Sequence, residues 1–294
     1  PPRHRSRRLN FLRWLLPLAP ALILMLVFYV GPILYAFYLG FTDYCLTGCA
    51  TTNFTGLANF QQLFSDPNFW HSLLLTIWFL IFSALIGQAI LGFVIALLLQ
   101  GRSPIFRLVI GAIVIVAWTV PEIVGAYAWY TTLDTGGTLD ILLGWLHLKN
   151  KIDLLYSLPM VSIIVANIWR GTAFSMLVFS AGLNGVQPDL LESAEMDGAG
   201  YWRRLRYVII PLMRSAITTD LVLITLQTLG AFGLIYAMTT GGPGTSSTTL
   251  PIYIYQQAFQ FYHLGYGTAI SLILLIVGAA ASLLYLRLLR GDRT

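Results

Sequence analysis

Six long apolar stretches, at about 14–41, 71–99, 106–133, 158–184, 215–240 and 265–289, constrain this chain more than any other feature. A transmembrane helix needs about 20 predominantly apolar residues, and each stretch exceeds that. Only 10% of the residues are charged and 57% are hydrophobic, whereas soluble domains carry about a quarter charged residues. The expected fold is therefore all-α, a polytopic membrane protein with six transmembrane helices. The expected organisation is a basic tail over 1–13, one transmembrane domain over 14–290 with a loop at 185–214, and a short tail over 291–294. The apolar part of the first stretch outruns the core of a signal peptide, and no small-residue cleavage site follows, so it is expected to be a retained helix.

Basic residues orient such a protein, because loops on the cytoplasmic side are enriched in Lys and Arg. The first residues carry Arg3, Arg5, Arg7, Arg8 and Arg13, the 100–107 turn carries Arg102 and Arg107, the 185–214 loop carries Arg203, Arg204, Arg206 and Arg214, and the C-terminal end carries Arg287, Arg290 and Arg293. The opposite side holds Lys149 and Lys151. Both termini and the 185–214 loop are thus expected in the cytoplasm, with an even number of crossings between the ends. The net charge of +5 is accounted for by orientation, and no nucleic-acid partner is expected. Cys45 and Cys49 either pair, if they face an oxidising compartment, or stand as inert thiols. The four histidines are scattered, so no metal site is expected.

The loop between the fourth and fifth stretches has its own pattern. Pro188 suits a first helical position, and Asp189 and Glu192 oppose the positive end of a helix dipole, so a short helix is expected from 188 to about 197. Gly198 and Gly200 allow a turn. After it Trp202, Leu205 and Val208 or Ile209 recur at helical spacing with arginines between them. One reading of such a segment is an amphipathic connector lying at the membrane surface.

The order of residues adds to this: Glu192-Ser193-Ala194, Asp197-Gly198-Ala199 and Val208-Ile209-Ile210-Pro211. The chain here resembles the integral-membrane permease subunits of binding-protein-dependent ABC importers, whose cytoplasmic loop reads Glu-Ala-Ala, two residues, Asp-Gly-Ala, a spacer and Ile-x-Leu-Pro. The departures Ser193, Val208 and Ile210 conserve size. Gly56-Leu57-Ala58-Asn59-Phe60, Asp66-Pro67-Asn68-Phe69-Trp70 with Thr76, Thr240-Gly241-Gly242-Pro243, and Gly265-Tyr266-Gly267-Thr268-Ala269 resemble the carbohydrate, maltose-transporter-like branch. The resemblance implies the type I ABC importer permease fold in the cytoplasmic (inner) membrane of a prokaryote. It also implies as partners a second homologous permease, two ATP-binding cassette ATPases, an extracytoplasmic solute-binding protein and membrane lipid. The implied coupling residues are Glu192, Ala194, Asp197, Gly198, Ala199 and Pro211, seated on an ATPase. No Gly-x-x-x-x-Gly-Lys-Ser/Thr phosphate cradle occurs, so the chain is not expected to be an enzyme, and ATP and Mg belong to the partner subunits.

Arg170 falls about 12 residues into the fourth stretch, near the middle of a hydrocarbon core roughly 30 Å thick, where a charge faces a cavity or a partner. Asn167, Arg170, Gly171 and Phe174 share one helical face. By the resemblance, Asn167, Gly171 and Phe174 correspond in type to sugar-contacting positions, and Thr228 falls on another. Arg170 departs from the family's apolar residue there. An amide offers a donor and an acceptor to hydroxyls, Gly leaves room for a ring, and an aromatic stacks on a sugar's apolar face. The competing reading is a helix-packing face with Arg170 paired to an acid, either Glu122 behind the helix-bending Pro121 or one on the companion permease. The expected cargo is a sugar, with a polyol phosphate or another small polar solute as the alternative. A channel or secondary transporter is disfavoured, since no paired broken helices or repeat are visible.

Overall fold

Prolines, two of them behind a capping side chain, start several of the helices. The computed structural model describes residues 17–48, 52–146 and 153–289; the basic tail, Cys49, and the lysines at 149 and 151 lie outside the described residues. Helix α1 (Pro17–Leu39) is followed by α2 (Ala58–Ser65) and α3 (Pro67–Leu99). Asp66 caps α3 by accepting the Asn68 N–H at 2.9 Å, with Pro67 in the first turn. Ser103 caps α4 (Pro104–Thr119), and α5 (Glu122–Leu133) and α6 (Thr138–Trp145) follow. Proline needs no N–H partner in a first turn and its fixed φ already suits the helix. The same logic starts α7 (Pro159–Asn184) and α8 (Pro188–Met196). The chain continues through α9 (Tyr201–Leu212), α10 (Arg214–Leu229), α11 (Gly233–Thr239), α12 (Leu250–Tyr255) and α13 (Leu264–Leu289).

Two of the expected crossings are not single helices. The 106–133 stretch breaks at Val120 and Pro121, and α4 turns by 98° into the helical run that follows. Pro121 has no N–H and crowds the residue before it, which drives Val120 to an extended ψ of 129°. The 215–240 stretch is also divided. Its helix α10 ends at Leu229, Gly230 closes it by donating to Leu226 at 3.1 Å, and the chain resumes as α11. A second bend of 70° separates α9 from α10. Among the described residues, four helices are long and apolar enough to cross a bilayer alone, or up to six when each bent pair counts as one crossing.

The chain divides into two compact units. In the first, Pro1–Ser65 with Tyr255–Leu272, the Asn59 side chain ties down two carbonyls by donating to Gly40 at 2.9 Å and Thr42 at 2.8 Å. Gly265 donates to the Tyr44 carbonyl at 2.8 Å, and a Cβ there would lie 2.1 Å from the Thr42 oxygen. The motif residues Asn59 and Gly265 thus hold the turn after α1. Asp43 accepts the Asn53 backbone N–H at 2.6 Å and its side-chain amide at 3.1 Å, which holds the Asp43 carboxyl below its ordinary value.

In the second unit, Asp66–Ile254 with Ile273–Thr294, α7 is the central element and packs against α3, α4, α5 and α10. The α3 crossing is close because it is built from small residues: a Cβ on Gly92 would sit 2.5 Å from Ser175 Cβ and 2.8 Å from the Met176 nitrogen. Small residues let helices approach in a bilayer, where no hydrophobic drive separates helix from lipid. Two apolar clusters fill the unit, one around Ala84, Phe179, Met213 and Ile224, the other around Phe79, Ile163, Ile235 and Ile252. The motif stretches near Asp66 and Thr240 are bonded together here. The Tyr253 hydroxyl donates to Asp66, the Leu250 N–H donates to Thr76 at 2.8 Å, and the His71 ring bonds the Thr245 carbonyl at 3.2 Å.

Candidate functional site

The face of α7 that carries Asn167, Arg170, Gly171 and Phe174 meets polar groups of α3 that the sequence reading passed over. Residues Leu80–Gln88 of α3 wind as a π-helix, a rare geometry that recurs at functional sites. Asn167 is buried, and its amide donates to the Ser83 hydroxyl. Gln88 donates to the Asn167 carbonyl at 3.0 Å and to Ser83 at 3.4 Å. Gly171 makes room for this: a Cβ at that position would lie 2.2 Å from the Gln88 side-chain carbon. Two of the residues singled out for solute contact therefore also close a hydrogen-bonded seam between α3 and α7. Thr228 is buried on α10, with the fully buried Ile224 one turn before it.

Arg170 and Phe174 are more open. The Arg170 guanidinium stands 3.7 Å from the Glu122 carboxylate, and each side chain is 30% exposed. The acid that matches Arg170 thus lies on its own chain, immediately behind the break at Pro121. Glu122 uses its other oxygen to accept the Leu234 N–H at 2.7 Å, in the first turn of α11. Gly233 fits this contact, since a Cβ there would approach the carboxylate to 3.1 Å. One carboxylate consequently links the start of α5, the middle of α7 and the start of α11, so both breaks in the apolar stretches meet at Glu122. The pair is only partly desolvated and loosely spaced, which leaves most of the guanidinium donors uncommitted. Phe174 is half-buried with its ring centroid 6.0 Å from that of Trp118, and Trp169 packs edge-on against Trp129 at 6.0 Å. The assembled surface offers donors beside aromatic rings, a combination suited to a polar solute with apolar patches.

The 185–214 loop has the opposite character. Helix α8 ends in a Schellman turn: Gly198 donates to the Glu195 carbonyl at 3.0 Å and Ala199 donates to the Ala194 carbonyl at 2.9 Å. This turn requires the left-handed φ of 73° that Gly198 adopts, which is why glycine stands there. Glu195 on α8 accepts from Arg204 on α9 at 2.6 Å, clamping the two short helices. Leu205 and Ile209 turn into the unit's apolar cluster, whereas Trp202 is exposed. Glu192, Asp197 and Gly198 are exposed, Ala194, Ala199 and Pro211 half-buried. Met196 at 88%, Trp202 at 76% and Tyr207 at 72% are also exposed on these short helices.

Comparisons with known proteins bear on this arrangement. The family described as "Binding-protein-dependent transport system inner membrane component" matches residues 88–291. The chain is similar to the sulfoquinovosyl glycerol transport system permease protein SmoG of Agrobacterium fabrum, with 32% identity covering 93% of this chain and 89% of that protein. It is similar to the trehalose/maltose transport system permease protein MalF of Thermococcus litoralis, with 31% identity covering 99% and 97%. Among solved structures, a chain of a bacterial alginate ABC transporter in complex with an alginate pentasaccharide-bound periplasmic protein shares 23% identity over 98% of both chains, with a TM-score of 0.82.

Proposed function

Because the chain belongs to the family of inner membrane components of binding-protein-dependent transport systems, we propose that it is the permease subunit of an ATP-driven importer and that its cargo is a carbohydrate. The near full-length similarity to permeases named for sulfoquinovosyl glycerol and for trehalose and maltose carries this reading. Its partners are a second permease of the same family, two ATPase subunits and an extracytoplasmic solute-binding protein. ATP and Mg act on the ATPase subunits. Glu192, Ala194, Asp197, Gly198, Ala199 and Pro211 form the surface through which the ATPase moves the transmembrane helices.

Arg170 and Phe174 contact the solute directly in this proposal, while Asn167, Gly171 and Thr228 shape the wall behind them. The balance of Arg170 against Glu122 favours a neutral polyhydroxyl cargo over a phosphorylated one, since a paired guanidinium offers hydrogen bonds with little net charge. The test is reconstitution of the assembled importer with its binding protein in vesicles, followed by uptake of labelled neutral and acidic sugars. Stimulated ATP turnover with uptake of a neutral sugar supports the proposal. Uptake confined to a non-carbohydrate solute overturns the cargo, and uptake independent of ATP overturns the machinery.

A further inference from the structure

At the end of the second unit where α7 runs into the 185–214 loop, α3, α4 and α7 enclose an open cavity of about 480 Å³. Its walls are mainly apolar, with Leu108 and Leu177 among them, and its polar side chains are Gln100, Arg107, Ser180 and Asn184. No Asp or Glu lines it. Among the described residues Arg107 makes no ion pair, and the neighbouring Arg102 makes none either. Much of α4 is exposed, including Ile105 at 76%, Leu108 at 73% and Ile113 at 63%, so the cavity opens along a helix with bilayer-compatible sides. A membrane-exposed cleft with an apolar body and an unmatched cation at its rim has the shape and charge distribution of a phospholipid reversed. The acyl chain needs the apolar wall, and the headgroup phosphate needs Arg107 with the donors of Gln100 and Asn184.

We propose that this cavity is a binding site for an anionic phospholipid of the cytoplasmic leaflet, with Arg107 on its headgroup. The occupant follows from the charge: a neutral zwitterionic lipid would bring a cation alongside Arg107, and a helix of another subunit would leave the guanidinium buried and unpaired unless it supplied an acid. The site depends on the chain's place in the inner membrane and not on which solute is carried.

The test uses the transporter complex containing the full chain, placed in nanodiscs of equimolar dioleoylphosphatidylglycerol and dioleoylphosphatidylcholine. Native mass spectrometry then counts the lipids retained after delipidation. The native complex should retain phosphatidylglycerol in preference to phosphatidylcholine, and Arg107→Ala should reduce that retention about fivefold, the effect of one interfacial cation. A second variant separates the cavity from its rim. Gly111 lines the cavity and a Cβ there would meet nothing within 4 Å, so Gly111→Phe should fill it without moving the backbone and should also expel the lipid. Three results would each overturn the proposal: no lipid preference in the native complex, retention unchanged in both variants, or retention lost in Arg107→Ala but kept in Gly111→Phe, which would leave only a surface charge. Loss of the second permease from the Gly111→Phe complex would also overturn it, because the cavity would then be a subunit interface.

Discussion

Helices α7 and α8 are joined by only a few residues, yet they use polar side chains in opposite ways. Along α7 the amide of Asn167 is bonded to Ser83 and the space at Gly171 is taken by Gln88. Along α8 the polar residues point outward, and the glycine that follows serves a backbone turn with nothing within 4 Å of its missing Cβ. A chain in a bilayer has no water to satisfy a stray amide, so the interior seam must close on itself. A loop in water is free to leave its surface open for another protein. Residue type therefore says little about role until the neighbouring groups are counted, and substitutions in the two regions should fail in different assays.

The largest effect is expected at the α3–α7 crossing. Gly92→Leu places side-chain atoms where Ser175 and the Met176 backbone already lie, and overpacking of this kind costs about 3 kcal/mol. The yield of monodisperse complex and its melting temperature should both fall sharply. Normal yield would break the description of α7 as a seam closed on itself. Gly198→Glu should do the reverse. It strains one left-handed residue by about 1–2 kcal/mol and adds a charge to an exposed surface, so the complex should assemble while losing most of its substrate-stimulated ATP turnover. Retained turnover in vesicles would remove the coupling role assigned to this loop.

Arg170 lies between these extremes, because it belongs to α7 but keeps part of its guanidinium free. Arg170→Ala leaves Glu122 still bonded to the Leu234 N–H, and the loosely spaced, partly exposed pair contributes no more than about 1 kcal/mol. Complex yield should hold while uptake is largely lost. Glu122→Gln provides the companion measurement, since its amide oxygen can still accept from Leu234 while the charge balance is removed. A drop in stability for both, with uptake per folded complex unchanged, would turn Arg170 into a packing group.

The parts of this architecture visible in the sequence were those fixed by local chemistry. Pro188, Asp189, Glu192 and Gly198 specify a short helix and its stop without help from distant residues, and the observed helix Pro188–Met196 agrees with the expected one. The apolar stretches mark membrane-length segments because hydropathy is additive along the chain. Their breaks were less visible. Pro121 marks a bend in the sequence, but the Leu234 N–H that Glu122 holds behind it is 112 residues away. The seam was missed for a similar reason. Ser83 and Gln88 stand out as polar residues within an otherwise apolar 77–99, and a search for polar groups in the second stretch, as in the third, fourth and fifth, finds them. The match of Gly171 to Gln88 needs the three-dimensional crossing.

The smallest expected effect decides whether Asn167 serves the seam or the solute. Asn167→Ala removes one donor to Ser83, while the Gln88 bond to the Asn167 backbone carbonyl survives, so the loss should be about 0.5–1.5 kcal/mol. Ser83→Ala removes the same bond from the other side, together with the long Gln88 contact at 3.4 Å, without touching α7. If the bond is the whole of Asn167's contribution, Ser83→Ala should destabilise at least as much as Asn167→Ala, since it also loses the long Gln88 contact, and the double variant should cost less than their sum, because neither partner is then left unsatisfied. Uptake per folded complex should be nearly native in all three. If Asn167 instead leaves Ser83 to bind solute during the transport cycle, Asn167→Ala should raise the apparent KM for the sugar while Ser83→Ala does not. Melting curves and uptake measured on the same preparations separate these outcomes, and a KM effect confined to Asn167 would move it from the closed seam to the open face with Arg170.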